Sequence, residues 1–233
     1  MTHLPFGLRN ASSIFARTMS KVLDGLDDTV LAYIDDILVF TKSPDFASHL
    51  KALEAVFERL RIFKLKLSPK KCAFARTSLE FLGHLITANN YSPSPANLAA
   101  IQKYSTPTNI GECRRFVGMA SFFRKFIPHF ANIAEPLTSL TRKGATFIWN
   151  EEQNSAFLSL RNKLTESPAL RYPDYTKPFH IFSDASLVAV AGVLMQEDET
   201  EKCYYAISFC SKTLSAPERN WPAVQRELSA IIF

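Results

Sequence analysis

The chain has 233 residues, 47% hydrophobic and 21% charged, a composition that predicts a folded globular protein and excludes disordered, collagen-like and low-complexity classes. It shows no run of about 18 apolar residues and no signal-peptide pattern, so neither a membrane-spanning helix nor a secreted precursor is expected. The four cysteines form no Cys-x-x-Cys pair, which argues against a zinc knuckle or a disulfide scaffold and favours reduced intracellular thiols.

Positive charge is concentrated in the first part of the chain. Residues 1–143 carry a net charge of +8 and residues 144–233 carry −3, within a total of +5. The densest basic cluster contains no acidic residue and consists of Arg59, Arg61, Lys64, Lys66, Lys70, Lys71 and Arg76. This asymmetry indicates either a polyanionic partner or a solvated basic face, and charge alone does not choose between them.

Two helices are predicted in the first 62 residues. One follows a turn at Pro5 and Gly7 and is capped near Asn10 or Ser12. The other covers Asp45–Ile62, and the apolar residues on one of its faces are Leu50, Leu53, Phe57 and Leu60.

An apolar run of eleven residues, Val30–Phe40, is interrupted by two adjacent acids, Asp35 and Asp36. The two apolar arms predict the strands of a hairpin, with the acids as its turn. One interpretation is an ordinary turn, since Asp is common there and the tip exposes it to water. The other is a metal site, because carboxylates on a rigid hairpin suit Mg²⁺, and two such ions about 4 Å apart catalyse phosphoryl transfer.

The middle of the chain predicts one strand pair and two helices. The strand pair covers Leu79–Ile86 and is interrupted by Gly83. The helices cover Pro95–Tyr104 and Ile110–Phe126, and the second begins with a capping-box pattern formed by Asn109 and Glu112.

The last part of the chain changes from helix to strand patterns. A helix opens at Asn150 with Gln153 as its capping partner. Strands are then predicted over Phe179–Ser183, Val188–Met195 and Tyr204–Cys210, and a final helix begins near Pro222 and still continues at Phe233. We therefore expect the domain to extend beyond the last residue.

Two further acids are candidates for chemistry. Asp184 directly follows a predicted strand and Glu227 lies on the final helix. An Asp at a strand end is often a local cap, and a Glu on a helix is usually a surface residue. Residue type alone leaves these interpretations open.

Several segments resemble the polymerase and ribonuclease H region of gypsy-like retrotransposon Pol polyproteins. They occur in the family's order and spacing, and the resemblance extends over nearly the whole chain. Tyr33-Ile34-Asp35-Asp36 is similar to the Y-x-D-D box of reverse transcriptases. The other segments are the Leu-Pro-Phe-Gly-Leu loop at residues 4–8 with Asn10, Ala11 and Phe15, the primer-grip-like residues 80–84, the thumb-like residues 116–136, the tether-like residues 149–173, and the Asp184 and Glu227 segments.

The resemblance implies roles for individual residues. The catalytic and metal-binding residues would be Asp35, Asp36, Asp184 and Glu227. The nucleotide site would include Pro5, Phe6, Gly7 and Tyr33. The primer grip would be Phe81, Leu82, Gly83 and His84. The nucleic-acid backbone would be contacted by Lys64, Lys66, Lys70 and Lys71.

It also implies an α+β fold with four parts. These are a partial polymerase palm of antiparallel strands and helices over residues 1–92, a helical thumb over 93–143, a tether over 144–176, and a partial ribonuclease H-like α/β domain over 177–233. The intact enzyme would use two Mg²⁺ (or Mn²⁺) ions per active site. Its partners would be an RNA template, a DNA primer, an RNA–DNA hybrid and deoxynucleoside triphosphates, in the cytoplasm within a retrotransposon particle or in the nucleus.

The family's pattern contains acids that this sequence does not. Another Asp precedes the Leu-Pro-Phe-Gly-Leu loop, and further acids follow the position of Glu227. We therefore expect this chain to polymerise poorly or not at all by itself. Two alternatives are a non-catalytic nucleic-acid-binding remnant of a decayed or repurposed element, and a chain that does not fold stably because strand edges stay unpaired.

Overall fold

The computed structural model describes residues 7–43, 45–166 and 169–233. The chain folds as two compact units, Met1–Arg76 and Thr77–Phe233, which are called unit 1 and unit 2 below. Two positions assigned to the nucleotide site, Pro5 and Phe6, lie outside the described residues. No described helix has both the length and the apolar character needed to cross a bilayer.

Unit 1 consists of two helices and one hairpin. Its elements are α1 (Ala11–Val22), β1 (Val30–Tyr33), β2 (Asp36–Val39), α2 (Phe46–Ile62) and a short 3₁₀ turn (Pro69–Lys71). Asn10 occupies the predicted N-cap position of α1, but its side chain makes no capping hydrogen bond. The predicted hairpin is confirmed, but its turn lies one residue earlier than expected, because Asp36 already pairs with Tyr33 as the first residue of β2.

The core of unit 1 is small, and in it both helices pack against the open end of the hairpin. Its buried residues are Met19, Val22, Leu23, Val30, Val56 and Leu60. Helix α2 buries Ala52, Val56 and Leu60, whereas Leu50 is 50% and Phe57 40% exposed. Of the apolar stripe predicted on α2, only Leu60 is buried. The buried face of α2 is the one that contacts α1 and β1, and it is not the face with the largest apolar side chains.

Unit 2 contains two antiparallel sheets and a group of helices. The four-stranded sheet has the order β3 (Ser78–Phe81), β4 (His84–Thr87), β5 (Asn90–Pro93) and β6 (Leu170–Arg171). The three-stranded sheet has the order β7 (His180–Ala185), β8 (Ala189–Asp198) and β9 (Cys203–Thr213). The helices are α3 (Pro95–Gln102), α4 (Ile110–Phe122), α5 (Phe130–Leu140), α6 (Glu151–Thr165), α7 (Ala216–Arg219) and α8 (Ala223–Ile232), with a 3₁₀ turn at Arg124–Phe126.

Aromatic and branched residues of α4, α5 and α6 form the larger core. Phe116, Phe157 and Leu160 are fully buried, and the rings of Phe116 and Phe157 lie 4.6 Å apart. The capping box of α6 is confirmed, since the Asn150 amide donates to Gln153 at 3.1 Å. The antiparallel sheets together with these helices confirm the predicted α+β fold class.

Some elements differ from the sequence-based expectation. Helix α4 ends at Phe122, and a 3₁₀ turn replaces its predicted last turn. At its start, Asn109 Oδ1 accepts from the Glu112 amide at 3.0 Å, but the Glu112 carboxylate accepts from the backbone amide of Thr108 rather than from that of Asn109. Strands β5 and β6 were not predicted, because they pair residues about 80 positions apart and neither shows a long apolar pattern.

Candidate catalytic carboxylates and nucleic-acid surface

The turn that carries Asp35 is tight and strained. Tyr33 pairs with Asp36, so only Ile34 and Asp35 connect β1 to β2. Ile34 has φ of 53°, and a positive φ at the first of two turn residues is the type II′ pattern, which normally takes glycine there. For a β-branched residue this conformation is an outlier that costs about 1–3 kcal/mol and is common at functional sites.

The base of the hairpin is fixed while its tip is exposed. Val30 is buried, and Ile37 and Val39 pack against the same core. The Arg59 guanidinium donates to the Asp24 carbonyl at 2.8 Å and ties α2 to the loop after α1. The two acids at the tip are therefore held on a rigid support.

The carboxylates of Asp35 and Asp36 are exposed and unoccupied by other side chains. Within the described ranges, no hydrogen bond or ion pair engages either group. Hard, anionic oxygens without other partners are the ligands that Mg²⁺ prefers, so this donor set fits a divalent ion. No group of three His, Cys, Asp or Glu residues able to hold a metal occurs among the described residues, so this pair would supply only part of a coordination shell. Tyr33, beside them, is 55% exposed.

The predicted backbone-contacting lysines form an exposed basic stretch after α2. Lys64, Lys66, Lys70 and Lys71 are all exposed, and the last two lie in the 3₁₀ turn. In the part of the chain that the structure describes, no carboxylate pairs with any of the four. Gly7, which belongs to the predicted nucleotide site, has φ of 85°, which suits glycine.

In unit 2 the primer-grip-like residues form a second tight hairpin. Phe81 pairs with His84, and the turn residues Leu82 and Gly83 have φ of 49° and 77°, a type I′ pattern. The Gly83 carbonyl accepts from the Ser94 amide at 2.9 Å and from Asn97 Nδ2 at 3.2 Å. These bonds clamp the turn onto the start of α3.

The ring of His84 faces inward. It lies within 5.5–5.8 Å of the rings of Phe122, Phe123 and Phe126. Burial, and secondarily the charge of Lys125, lowers the pKa of His84 below its usual value. This side chain supports the hairpin from behind.

Asp184 lies on β7 and faces α5. It pairs with Ala191, which pairs with Ser211, and paired residues share one face of a sheet. On that face the Ala131 amide of α5 donates to Ser211 Oγ at 3.0 Å. His129, at the start of α5, places Nδ1 4.0 Å from Asp184 Oδ2.

Sequence reasoning missed His129. Its φ of 54° marks a left-handed residue before α5, a conformation in which His is enriched over most residues. No local pattern predicts its approach to Asp184, which is 55 positions away, because the contact depends on how α5 packs on the sheet.

Glu227 is exposed on α8, the helix that packs against β7 and β8. Its neighbour Arg226 donates to the Ser186 carbonyl at 2.7 Å and ties α8 to the turn after β7. The structure therefore brings the two supporting elements together. No hydrogen bond joins Glu227 to Asp184 among the described residues.

Two protein-family models match the chain. The family described as reverse transcriptase (RNA-dependent DNA polymerase) matches residues 1–86. The family described as an RNase H-like domain found in reverse transcriptase matches residues 149–233. Both families generally use divalent metals.

Curated relatives match along almost the full chain. The retrovirus-related Pol polyprotein from transposon 297 of Drosophila melanogaster is 38% identical over 232 residues, covering 99% of this chain and 21% of the relative. The retrovirus-related Pol polyprotein from transposon gypsy of the same organism is 35% identical over 243 residues, covering 99% of this chain and 23% of the relative. This chain thus spans about a fifth to a quarter of the length of these curated relatives.

Solved structures match the fold. The foamy viral protease-reverse transcriptase dRH in complex with double-stranded DNA superposes with a TM-score of 0.85 at 25% identity, covering 99% of this chain and 40% of the other. The foamy viral protease-reverse transcriptase in complex with RNA/DNA hybrid gives 0.81 at 26% identity, covering 99% and 31%.

Proposed function

Because this chain belongs to the reverse transcriptase and ribonuclease H region of retrotransposon Pol polyproteins, we propose that it forms part of an RNA-directed DNA polymerase with an associated ribonuclease H. The observation that carries the proposal is the exposed pair of carboxylates, Asp35 and Asp36, which have no other partner among the described residues. They lie on a strained hairpin within the residues that match the reverse transcriptase family. In this proposal residues 1–92 are palm, 93–143 thumb, 144–176 tether and 177–233 ribonuclease H-like.

In the polymerase half, Asp35 and Asp36 hold divalent ions, Mg²⁺ or Mn²⁺, two per complete active site. When bound, these ions would supply Lewis acidity to a primer 3′-hydroxyl and to the leaving pyrophosphate of a deoxynucleoside triphosphate. The rigid base of the hairpin fixes both carboxylates. Their exposure leaves room for the primer end, and Tyr33 with Pro5, Phe6 and Gly7 borders the incoming nucleotide.

The remaining residues hold the nucleic acid. The exposed lysines 64, 66, 70 and 71 contact phosphates of the RNA template and DNA primer without regard to sequence. The hairpin over Phe81–His84 supports the primer. The structural neighbours' complexes with double-stranded DNA and RNA/DNA hybrid support the assignment of these partners.

In the ribonuclease half, Asp184 and Glu227 supply two of the carboxylates that bind metal at the RNA strand of a hybrid. The site needs further acids for hydrolysis. Such an enzyme acts inside the cell, in a cytoplasmic retrotransposon particle or in the nucleus.

A chimaera tests the polymerase proposal. This chain would replace the homologous segment of the transposon 297 polyprotein, and Mg²⁺-dependent primer extension would be measured. We expect extension, and a loss of at least about a hundredfold in Asp35→Asn or Asp36→Asn, because a lost metal ligand removes several kcal/mol of transition-state stabilisation. Asp45→Asn, at the cap of α2, is the control.

Two other outcomes are informative. Undiminished extension by the Asp35→Asn chimaera would refute the role of the hairpin. A chimaera that never extends but whose 233-residue segment still binds hybrid would support the non-catalytic binding protein instead, which the basic first part of the chain also fits.

A further inference from the structure

The turn between β3 and β4 is held by the side chain that follows it. Leu82 has φ of 49°, which is unfavourable for a residue with a side chain. His84 Nδ1 lies 2.9 Å from the Leu82 carbonyl oxygen. Because a carbonyl can only accept, the proton must be on Nδ1 for this bond to form.

The other ring nitrogen of His84 has no such bond. Nε2 is buried and lacks a hydrogen-bond partner within the described part of the chain. Around the ring lie the aromatic side chains of Phe122, Phe123, Phe126 and Tyr91, at centroid distances of 5.5–6.3 Å. These aromatic surroundings suit a neutral imidazole whose Nε2 carries no proton. A second N–H at Nε2 would be buried without a hydrogen-bond acceptor.

The charge facing His84 is also positive. Lys125 Nζ lies 4.6 Å from the centroid of the Tyr91 ring and 5.2 Å from that of Phe126. Lys125 is the titratable group whose charge acts on the ring, and no carboxylate does so among the described residues. Tyr91 contributes its ring, while its hydroxyl donates to the Ile207 carbonyl at 3.2 Å. Burial and the charge of Lys125 therefore disfavour a positive charge at His84, and they outweigh the hydrogen bond to the Leu82 carbonyl, which favours it.

We propose that His84 is a positioning residue that locks the Leu82–Gly83 turn as the neutral Nδ1–H tautomer, and that protonation at Nε2 releases the turn because the charged ring, which still carries Nδ1–H, moves out of its aromatic surroundings to hydrate Nε2. The inference rests on the proposed function, in which this hairpin supports a primer. A lowered pKa means that the lock is complete above the ordinary histidine pKa of about 6.5 and is lost as the pH falls through the lower value of the folded protein.

Nuclear magnetic resonance on the 233-residue chain, without nucleic acid, tests the lock itself. His84→Phe identifies the imidazole signals. We expect the Nδ1–H tautomer at pH 7.5, a pKa below 6.5, and at least a tenfold loss of exchange protection between pH 7.5 and 5 at the Ser94 amide, which donates to the Gly83 carbonyl of the turn at 2.9 Å. In His84→Phe the protection should be low at every pH.

Two variants separate positioning from packing. His84→Asn can return a donor near the position of Nδ1, so we expect it to restore protection of the Ser94 amide at both pH values. His180→Phe applies the same substitution to a half-buried histidine whose ring contact is Tyr204, and should leave the protection of the Ser94 amide unchanged. An Nε2–H tautomer, or full protection in His84→Phe, would overturn the proposal.

Hybrid binding then tests the functional part. We expect the affinity of the wild-type chain for an RNA–DNA hybrid to fall at least threefold more between pH 7.5 and 5 than that of His84→Asn. Equal pH dependence would overturn positioning while leaving the proposed function intact. Absence of hybrid binding by every variant at low salt would count against the proposed function, whereas the tautomer and exchange results would still decide the lock.

Discussion

Ile34 holds a conformation that most side chains avoid, directly beside the two acids of the hairpin tip. Its φ of 53° is compatible with the tight register of β1 and β2, which leaves two residues for the turn. Packing of the hairpin base at Val30 and Val39 imposes that register. The fold therefore maintains strain where the carboxylates must point outward.

Replacing Ile34 with glycine should relieve the strain. We expect the local free energy of opening of β1 and β2 to rise by about 1 kcal/mol, because released strain of about 1–3 kcal/mol exceeds the added chain entropy of glycine, about 0.5–1 kcal/mol. Hydrogen exchange of the strand amides measures this. Ala32→Gly, within β1, should lower the same quantity, and an equal loss in Ile34→Gly would show that the turn is unstrained.

At this scale, the sequence could nominate candidate site residues, but it could not predict their surroundings in the fold. The adjacent acids in an apolar run predicted the hairpin turn, and a metal site remained an alternative interpretation that only the family resemblance favoured. The strain at Ile34, the inward position of His84 and the approach of His129 to Asp184 depend on backbone angles and on distant contacts. A local pattern does not encode these.

At the scale of elements, the β3–β4 hairpin depends on one glycine. A Cβ at Gly83 would lie 2.9 Å from Asn97 Nδ2, and φ of 77° disfavours any side chain. Gly118, inside α4, has a normal helical φ and no atom within 4 Å of its Cβ position. The two glycines therefore form a matched pair.

Gly83→Ala should destabilise the β3–β4 hairpin by about 1–3 kcal/mol, from the left-handed backbone and the contact with Asn97. Gly118→Ala should stabilise α4 by about 0.5–1 kcal/mol, since alanine favours helix. Urea unfolding monitored in unit 2 compares the variants. Similar effects of the two substitutions would contradict this account of the turn.

The short helix α7 depends on the ionised form of Glu218. Hydrogen bonds from Ser215, and then the contact with Lys212, lower the pKa of Glu218 from 4.5 to about 2. A lowered folded-state pKa means that the contribution is complete above pH 4.5 and is lost as the pH falls towards 2. Protection of the Ser215 amide should therefore decrease over that range. Glu218→Gln should lose this pH dependence, and a titration unchanged by that substitution would contradict the assignment.

Element types were largely predictable, and their partners were not. Capping residues and apolar spacing located α1, α6 and the strands of the second sheet. The exposed apolar face of α2 and the pairing of β5 with β6 were not foreseen, because burial is decided by which elements meet.

For the whole molecule, fold class and family followed from the order of motifs, and the matched families agree with that order. The boundary between the units, at residues 76 and 77, had no sequence signal, since it falls at the end of the basic cluster that runs from Arg59 to Arg76 rather than at a run of Gly or Pro. The charge asymmetry, by contrast, is a property of the sequence alone, and it leaves open a polyanionic partner or a solvated basic face for the first part.

The measurement that tests this account most directly is the salt dependence of binding between the 233-residue chain and an RNA–DNA hybrid. We expect binding at low salt, with a log–log slope that becomes shallower by about 3–4 when Lys64, Lys66, Lys70 and Lys71 are changed to Ala, since each phosphate contact contributes about 0.9. The control changes the same charge at the exposed, scattered residues Lys51, Lys143, Lys163 and Lys202 and should leave most of the slope. Absence of binding at low salt, or equal slopes for the two variants, would contradict a nucleic-acid-holding role for this chain.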